Sequence, residues 1–94
     1  TFSIFWSPRS EAEFVEILTY LETEFGLIVV LRCMEDVEQM LDHIAEFAFS
    51  AFNETSVRRA VLNKQLSIFY QINEGMVELL SFWDNRRDTG KLGL

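Results

Sequence analysis

The spacing of apolar residues changes near Asn53, from three or four residues before this point to two residues after it. The first spacing is typical of amphipathic helices and the second of strands. A short alternating segment, TFSIFW, comes before the helical part and places Phe2, Ile4 and Trp6 on one face. The sequence therefore predicts an α+β fold in the order β-α-α-β-β-β, with a helical hairpin packed on an antiparallel sheet.

The first predicted helix begins in the segment SPRSEAEF. Ser7 suits the N-cap and Pro8 suits the first helical position. An apolar stripe follows and ends at Gly26, and it consists of Phe14, Ile17, Leu18, Leu21 and Phe25. Glu13, Glu16, Glu22 and Glu24 lie largely off this stripe, so we expect them to form a solvated face.

Residues 27–48 are predicted to form the second helix. The run from Leu27 to Leu31 suits a buried strand by propensity alone. However, apolar residues recur at spacings of three and four across the whole segment, namely Val30, Met34, Val37, Leu41, Ile44 and Ala48. Length and period together favour a helix, which pairs with the first helix as a hairpin.

Three strands with short turns are predicted for the second half of the chain. VRRAVLN is the first, LSIFYQI is the second and MVELLSFW is the third. The NEG segment supplies a tight turn in which Gly75 adopts a positive φ. The third strand is apolar on both faces except at Glu78 and Ser81, which predicts a central or doubly covered position.

The length of 94 residues predicts a single domain, 1–94, with a small core. Nine phenylalanines exceed what so small a core is expected to bury, so we expect an apolar groove or interface. Phe47, Phe49 and Phe52 are the candidates for such a groove. The alternative is a loop that tucks these rings under the sheet.

The net charge of −7 argues against a nucleic-acid binder. Residues 9–54 contain eleven acidic and two basic residues, whereas residues 55–94 contain four acidic and six basic residues. An anionic partner would therefore bind the second half. A single cysteine, Cys33, and the lack of a leader or membrane span predict a soluble cytoplasmic protein.

The sequence offers little for enzymatic or metal chemistry. His43 is the only histidine, so no zinc site with Cys33 and no nucleophile-histidine pair is expected. The four glycines are scattered and form no phosphate-binding loop. We expect no metal and no cofactor.

Basic residues mark the strand ends of the second half. Arg58 and Arg59 begin one strand, Lys64 lies in the next turn, and Arg86 and Arg87 follow the last strand. In an antiparallel meander, Lys64 and the last two arginines can meet at one edge, where guanidinium groups bind phosphate or carboxylate. The alternative is that these basic residues are only solvent-exposed charges at the rim of the sheet.

These features together resemble a known protein family. The segment RRAVLNKQLSIFYQINEGMVELLSFWDNRRDTGKL is similar to the C-terminal half of RelE/ParE toxins of type II toxin-antitoxin modules, also called plasmid stabilisation proteins. The segment FWSPRSEAEFVEILTYLETEFG resembles the first strand and helix of that family. The resemblance implies the same β-α-α-β-β-β fold, a cognate antitoxin as partner and growth inhibition as the effect.

The resemblance favours ParE-like over RelE-like members. RelE-like members cleave messenger RNA and typically have an arginine three residues before the tyrosine that Tyr70 matches, where this chain has Ser67. Only Lys64, Arg86 and Arg87 remain as candidate catalytic residues. The resemblance thus implies DNA gyrase as a protein target and favours a non-enzymatic toxin over an endoribonuclease.

Candidate contacts with a target or partner are Arg58, Arg59, Lys64, Tyr70, Trp83, Arg86, Arg87 and Lys91. A second copy of the chain is a further candidate partner. The alternatives to a ParE-like toxin are a RelE-like messenger RNA endoribonuclease and a non-toxic remnant that only binds its antitoxin.

Overall fold

Two helices and four strands make up residues 2–48 and 56–94, the part of the chain that the computed structural model describes. The elements are β1 (Ser3–Trp6), α1 (Pro8–Phe25), α2 (Leu27–Phe47), β2 (Arg58–Val61), β3 (Leu66–Asn73) and β4 (Met76–Asp84), followed by a short 3-10 helix (Thr89–Lys91). The predicted α+β class and element order are confirmed. Residues 27–31 belong to α2, as their period predicts. Neither helix is long and apolar enough to cross a membrane.

Local signals fix the start of the helical hairpin and the turn between its two helices. The Ser7 hydroxyl accepts a hydrogen bond from the backbone N–H of Ser10 at 3.1 Å, and Pro8 is the first residue of α1. Gly26 separates the helices with a φ of +90°. This conformation is strained for a residue with a Cβ, which explains why the chain reverses at a glycine.

The sheet has the strand order β1-β4-β3-β2. Strands β2, β3 and β4 are antiparallel neighbours, and Glu74 and Gly75 form the two-residue turn between β3 and β4, both with positive φ. Strand β1 pairs with β4 in parallel, so the sheet is mixed, and the antiparallel description applies only to the last three strands. As predicted, β4 is a central strand.

A bulge interrupts the pairing of β3 with β4. Phe69 lies opposite Ser81 and Tyr70 lies opposite Leu79, which leaves Leu80 as an extra residue. An extra residue reverses the side-chain alternation beyond it. Leu79 and Phe82 therefore both pack in the core between the sheet and the helices.

Apolar clusters lie on both faces of the sheet. The larger one contains Val37, Leu41 and Ile44 of α2 together with Ile68, Val77 and Leu79 of the sheet, all 8% exposed or less. The smaller one consists of Phe69, Trp83 and Leu92. The chain end thus covers part of the second face, and the Leu92 carbonyl accepts a hydrogen bond from Arg9.

Candidate functional site

A groove of about 420 Å³ lies between the helical hairpin and the end of the sheet where β4 finishes. Both helices and the segments around β3 and β4 line it. The lining residues are Glu16, Ile17, Tyr20, Leu21, Val29, Arg32, Cys33, Asp36, Asn63, Gln65, Leu66, Asp84, Arg86 and Arg87. We call it the hairpin groove.

Apolar and charged side chains occupy different depths of the hairpin groove. Leu66 is buried, and Ile17, Leu21 and Val29 are half-buried. The charged lining residues are mostly exposed and of both signs. They are Glu16, Asp36, Asp84, Arg32, Arg86 and Arg87. Such a surface suits a protein segment with apolar residues and polar flanks better than a small anion.

Arg86 is held in place by Asp84. Its Nε and Nη2 atoms donate to the two carboxylate oxygens of Asp84 at 3.0 and 2.7 Å, and its backbone N–H also donates to this carboxylate at 2.9 Å. These hydrogen bonds and the charge of Arg86 hold the pKa of Asp84 below its ordinary value. Arg86 thus faces the groove as half of an ion pair.

Arg87 lies over the other face of the sheet edge. Its guanidinium carbon is 4.3 Å from the centre of the Trp83 ring, a cation–π geometry. The Trp83 side chain is 1% exposed, so the structure places this ring in the second-face cluster and not on the surface. Arg87 itself is exposed and lines the hairpin groove.

The turn that contains Lys64 meets the end of β4, as the meander predicted. The backbone N–H of Asn85 donates to the Gln65 carbonyl at 2.8 Å, and the Asn85 amide donates to the Asn63 carbonyl at 3.1 Å. Asn63 and Gln65 line the hairpin groove, whereas the exposed Lys64 does not. Lys64 therefore lies at the edge of the groove.

The other predicted contact residues lie at three further places. Arg58, Tyr70 and Phe47 line a smaller groove of about 180 Å³ together with His43. Arg59 lies on the opposite sheet face, where it donates to Ser67 at 3.0 Å and to Asn85 at 2.6 Å. Lys91 is exposed in the 3-10 helix. Phe49 and Phe52 lie outside the described residues.

Cys33 is an unpaired thiol that lines the hairpin groove. Burial and the nearby charge of Asp36 raise its pKa above the ordinary value, which favours the unreactive thiol form. Among residues 2–48 and 56–94, no group of three potential ligands is suited to a metal ion.

Comparison with known proteins assigns the fold. No family model matches the chain, and no curated protein matches it. A solved structure described as "Chromosomal ParDE TA system from P. aeruginosa" matches with a TM-score of 0.73 and 16% sequence identity, and the match covers 88% of this chain and 95% of that chain. The chain has a ParE-like fold. This confirms the fold that the sequence resemblance implies.

Several hairpin groove residues of this ParE-like fold were not among the sequence candidates. Tyr20, Arg32 and Asp36 come from the helices, where a charged or aromatic residue beside an apolar stripe indicates a solvated surface. One signal was available: Arg32 is the only lysine or arginine between Arg9 and Arg58. Its position among acidic residues was a signal in the sequence that marked Arg32 as a candidate site residue.

The Asp84–Arg86 pair predicts a pH-dependent contribution to stability. The pKa of Asp84 is lower in the folded than in the unfolded chain, so its contribution is present above about pH 4 and is lost as the pH falls through the folded-state pKa. Because the two side chains are 30% and 63% exposed, we expect Asp84→Asn to reduce the free energy of unfolding by less than ~1 kcal/mol at pH 7.

Urea unfolding at pH 7 and pH 2.5 measures this contribution. The wild-type chain and the Asp84→Asn variant should differ at pH 7 and converge at the lower pH. The matched control is Arg86→Gln, which should also lower the free energy of unfolding at pH 7. The double variant of Asp84 and Arg86 should lose no more stability than either single variant. A difference that is the same at both pH values would contradict the assignment.

Proposed function

We propose that this chain is the toxin of a type II toxin-antitoxin module. It is ParE-like, acts as one domain in the cytoplasm on a protein target, with DNA gyrase as the first candidate, and is neutralised by a cognate antitoxin. The similarity to the ParDE system carries this proposal, since it extends over nearly the whole length of both chains. The features of the hairpin groove support it independently.

The hairpin groove supports a protein partner. It combines buried and half-buried aliphatic side chains with exposed charges of both signs, and its volume of about 420 Å³ admits several side chains of a bound segment. We propose that an antitoxin segment binds in this groove. Tyr20, which is 48% exposed, and Arg87 would then contact it directly.

The geometry around the basic residues favours a non-enzymatic toxin. RNA cleavage needs a base, a group that stabilises developing charge and an acid at one site. The guanidinium group of Arg86 donates hydrogen bonds to Asp84, and that of Arg59 donates hydrogen bonds to Ser67 and Asn85. His43 contacts Phe47 and lines the smaller groove instead of the hairpin groove. We therefore propose that this chain acts by binding its target and not by catalysing RNA cleavage.

Controlled expression in a bacterial host tests this function. We expect growth arrest that is relieved by co-expression of the protein encoded next to this chain, and inhibition of DNA supercoiling by purified gyrase. Ribosome-dependent messenger RNA cleavage that disappears in a Lys64→Ala, Arg87→Ala variant would instead indicate the RelE-like activity. Tight antitoxin binding without growth arrest would indicate a non-toxic remnant.

The role of the hairpin groove is tested by Tyr20→Glu. We expect this variant to arrest growth but to bind the antitoxin at least about tenfold more weakly, because a carboxylate replaces an aromatic side chain that lines the groove. Val15→Glu is the matched control, since Val15 is also exposed on α1, at 57%, and does not line the groove. Equal antitoxin affinity of the two variants would place the antitoxin elsewhere.

A further inference from the structure

Helix α2 exposes a second apolar face in addition to the face that it buries. Leu27, Ile28, Leu31 and Met34 are 60%, 72%, 55% and 46% exposed, respectively. Their spacing places them on one side of the first two turns. None of them lines the hairpin groove or the smaller groove. This apolar surface is therefore separate from the site described above.

Acidic residues continue the same side of α2 toward its C-terminal end. The positions Leu27, Leu31, Glu35, Glu38, Asp42 and Glu46 follow one another at spacings of three or four residues, so they form one strip. All four acidic side chains are exposed. Within residues 2–48 and 56–94, no ion pair joins them to a basic side chain. We call these residues, with Ile28 and Met34, the α2 strip.

The charge arrangement of α2 opposes its own helix dipole. The first turn has no acidic residue, the last turn has no basic residue, and Glu46 lies in the last turn. Negative charge at a helix C-terminus is unfavourable because the carbonyl ends carry partial negative charge. The stability of the free helix therefore does not account for Glu46, whereas a partner that supplies positive charge would offset this charge.

We propose that the α2 strip binds a cationic amphipathic helix of another protein. Apolar side chains of that helix would cover Leu27, Leu31 and their neighbours, and its lysine or arginine side chains would lie beside the acidic half. The strip spans about 30 Å, a length suited to a partner helix of about 20 residues. This surface and its partner do not depend on the toxin function proposed above.

The negative charge of the two helices favours a basic partner helix over a second copy of the chain. Residues 8–47, which contain both helices, hold ten acidic and two basic residues. Two such hairpins packed side by side would repel each other, as would an anionic membrane surface. A basic helix instead gains both the apolar contact and the attraction.

A designed peptide tests the α2 strip directly. The probe is a labelled, alanine-based 20-residue helix with leucines at spacings of three and four in one half and lysines at the same spacings in the other. Fluorescence anisotropy at low salt should show binding to the wild-type chain, and affinity should fall as salt is added. A peptide with glutamate in place of each lysine should not bind.

Variants of the strip separate the apolar and the charged contributions. We expect Leu31→Gln and the double variant Asp42→Asn, Glu46→Gln each to weaken peptide binding at least about fivefold. The double variant should also raise the Tm of the free protein by about 1–3 °C, because it removes the Glu46 charge that opposes the helix dipole in the last turn. A merely structural role for these residues would not combine a higher Tm with weaker binding.

The matched control is the double variant Glu11→Gln, Glu22→Gln, which removes the same charge from exposed positions of α1. It should bind the peptide as the wild type does. The proposal is overturned if this control weakens binding as much as the α2 variant, or if no lysine peptide binds. It is also overturned if sedimentation shows a dimer that Leu31→Gln dissociates, since a second copy would then occupy the strip.

Discussion

Replacing Phe82 with alanine should lower the free energy of unfolding by about 3–5 kcal/mol. The Phe82 ring is 2% exposed and lies between two other aromatic rings, with centroid distances of 5.2 Å to Trp6 and 4.8 Å to Phe14. These three rings connect β4 with β1 and α1. Because native proteins are stable by only about 5–15 kcal/mol, the variant should lose a large share of its stability at 25 °C.

Urea unfolding followed by tryptophan fluorescence measures this loss, since Trp6 and Trp83 report on opposite faces of the sheet. Phe5→Ala is the matched control. Phe5 lies in β1, is 45% exposed and belongs to neither buried cluster, so the loss should be below ~1 kcal/mol. Similar losses for both variants would show that the aromatic contacts of Phe82 contribute little.

Replacing Glu13 with alanine should lower the free energy of unfolding by about 1–3 kcal/mol. The Glu13 carboxylate accepts hydrogen bonds from the Ser81 hydroxyl at 2.7 Å and from the backbone N–H of Phe82 at 3.3 Å. Ser81 is fully buried. Without the carboxylate, both donors beside the bulge would lack this partner in a place that water reaches poorly.

Glu13→Gln is the control for this effect, because its amide oxygen can still accept hydrogen bonds from both donors. We expect the glutamine variant to retain more of the stability than the alanine variant. The double variant Glu13→Ala, Ser81→Ala should be less destabilised than the sum of the two single variants. Strict additivity would mean that the hydrogen bond between the two side chains contributes nothing.

Local signals in the sequence predicted most of the elements. The period of α2 distinguished a helix from a strand at Leu27–Leu31, even though β propensity suggested the opposite. Ser7, Pro8 and Gly75 act through the backbone conformation of their own positions, so their neighbours in sequence were sufficient to predict them. The resemblance to RelE/ParE toxins then implied the fold that the ParDE structure confirms.

Features that depend on distant contacts were not predictable in this way. Nothing in TFSIFW indicates that it pairs in parallel with β4. The bulge at Leu80 was hidden because residues 79–83 are all apolar except Ser81, so the sequence shows no interruption in the alternation where the extra residue lies. Glu13 was assigned to a solvated face, whereas the structure turns it toward the bulge. That assignment was wrong because the Glu13 carboxylate accepts a hydrogen bond from the buried Ser81 hydroxyl beside the bulge, a contact between residues far apart in sequence.

The parallel pairing of β1 with β4 also has a consequence for synthesis of the protein on the ribosome. Strand β1 is made before both helices, β2 and β3, but its only strand neighbour among the described residues is β4, the last of the four strands to be made. Contacts so far apart in sequence form late and slow folding. Until then, β1 is an open edge that other chains can join. A nascent chain should therefore complete its sheet only after β4 has left the ribosome, and truncations that remove β4 should aggregate.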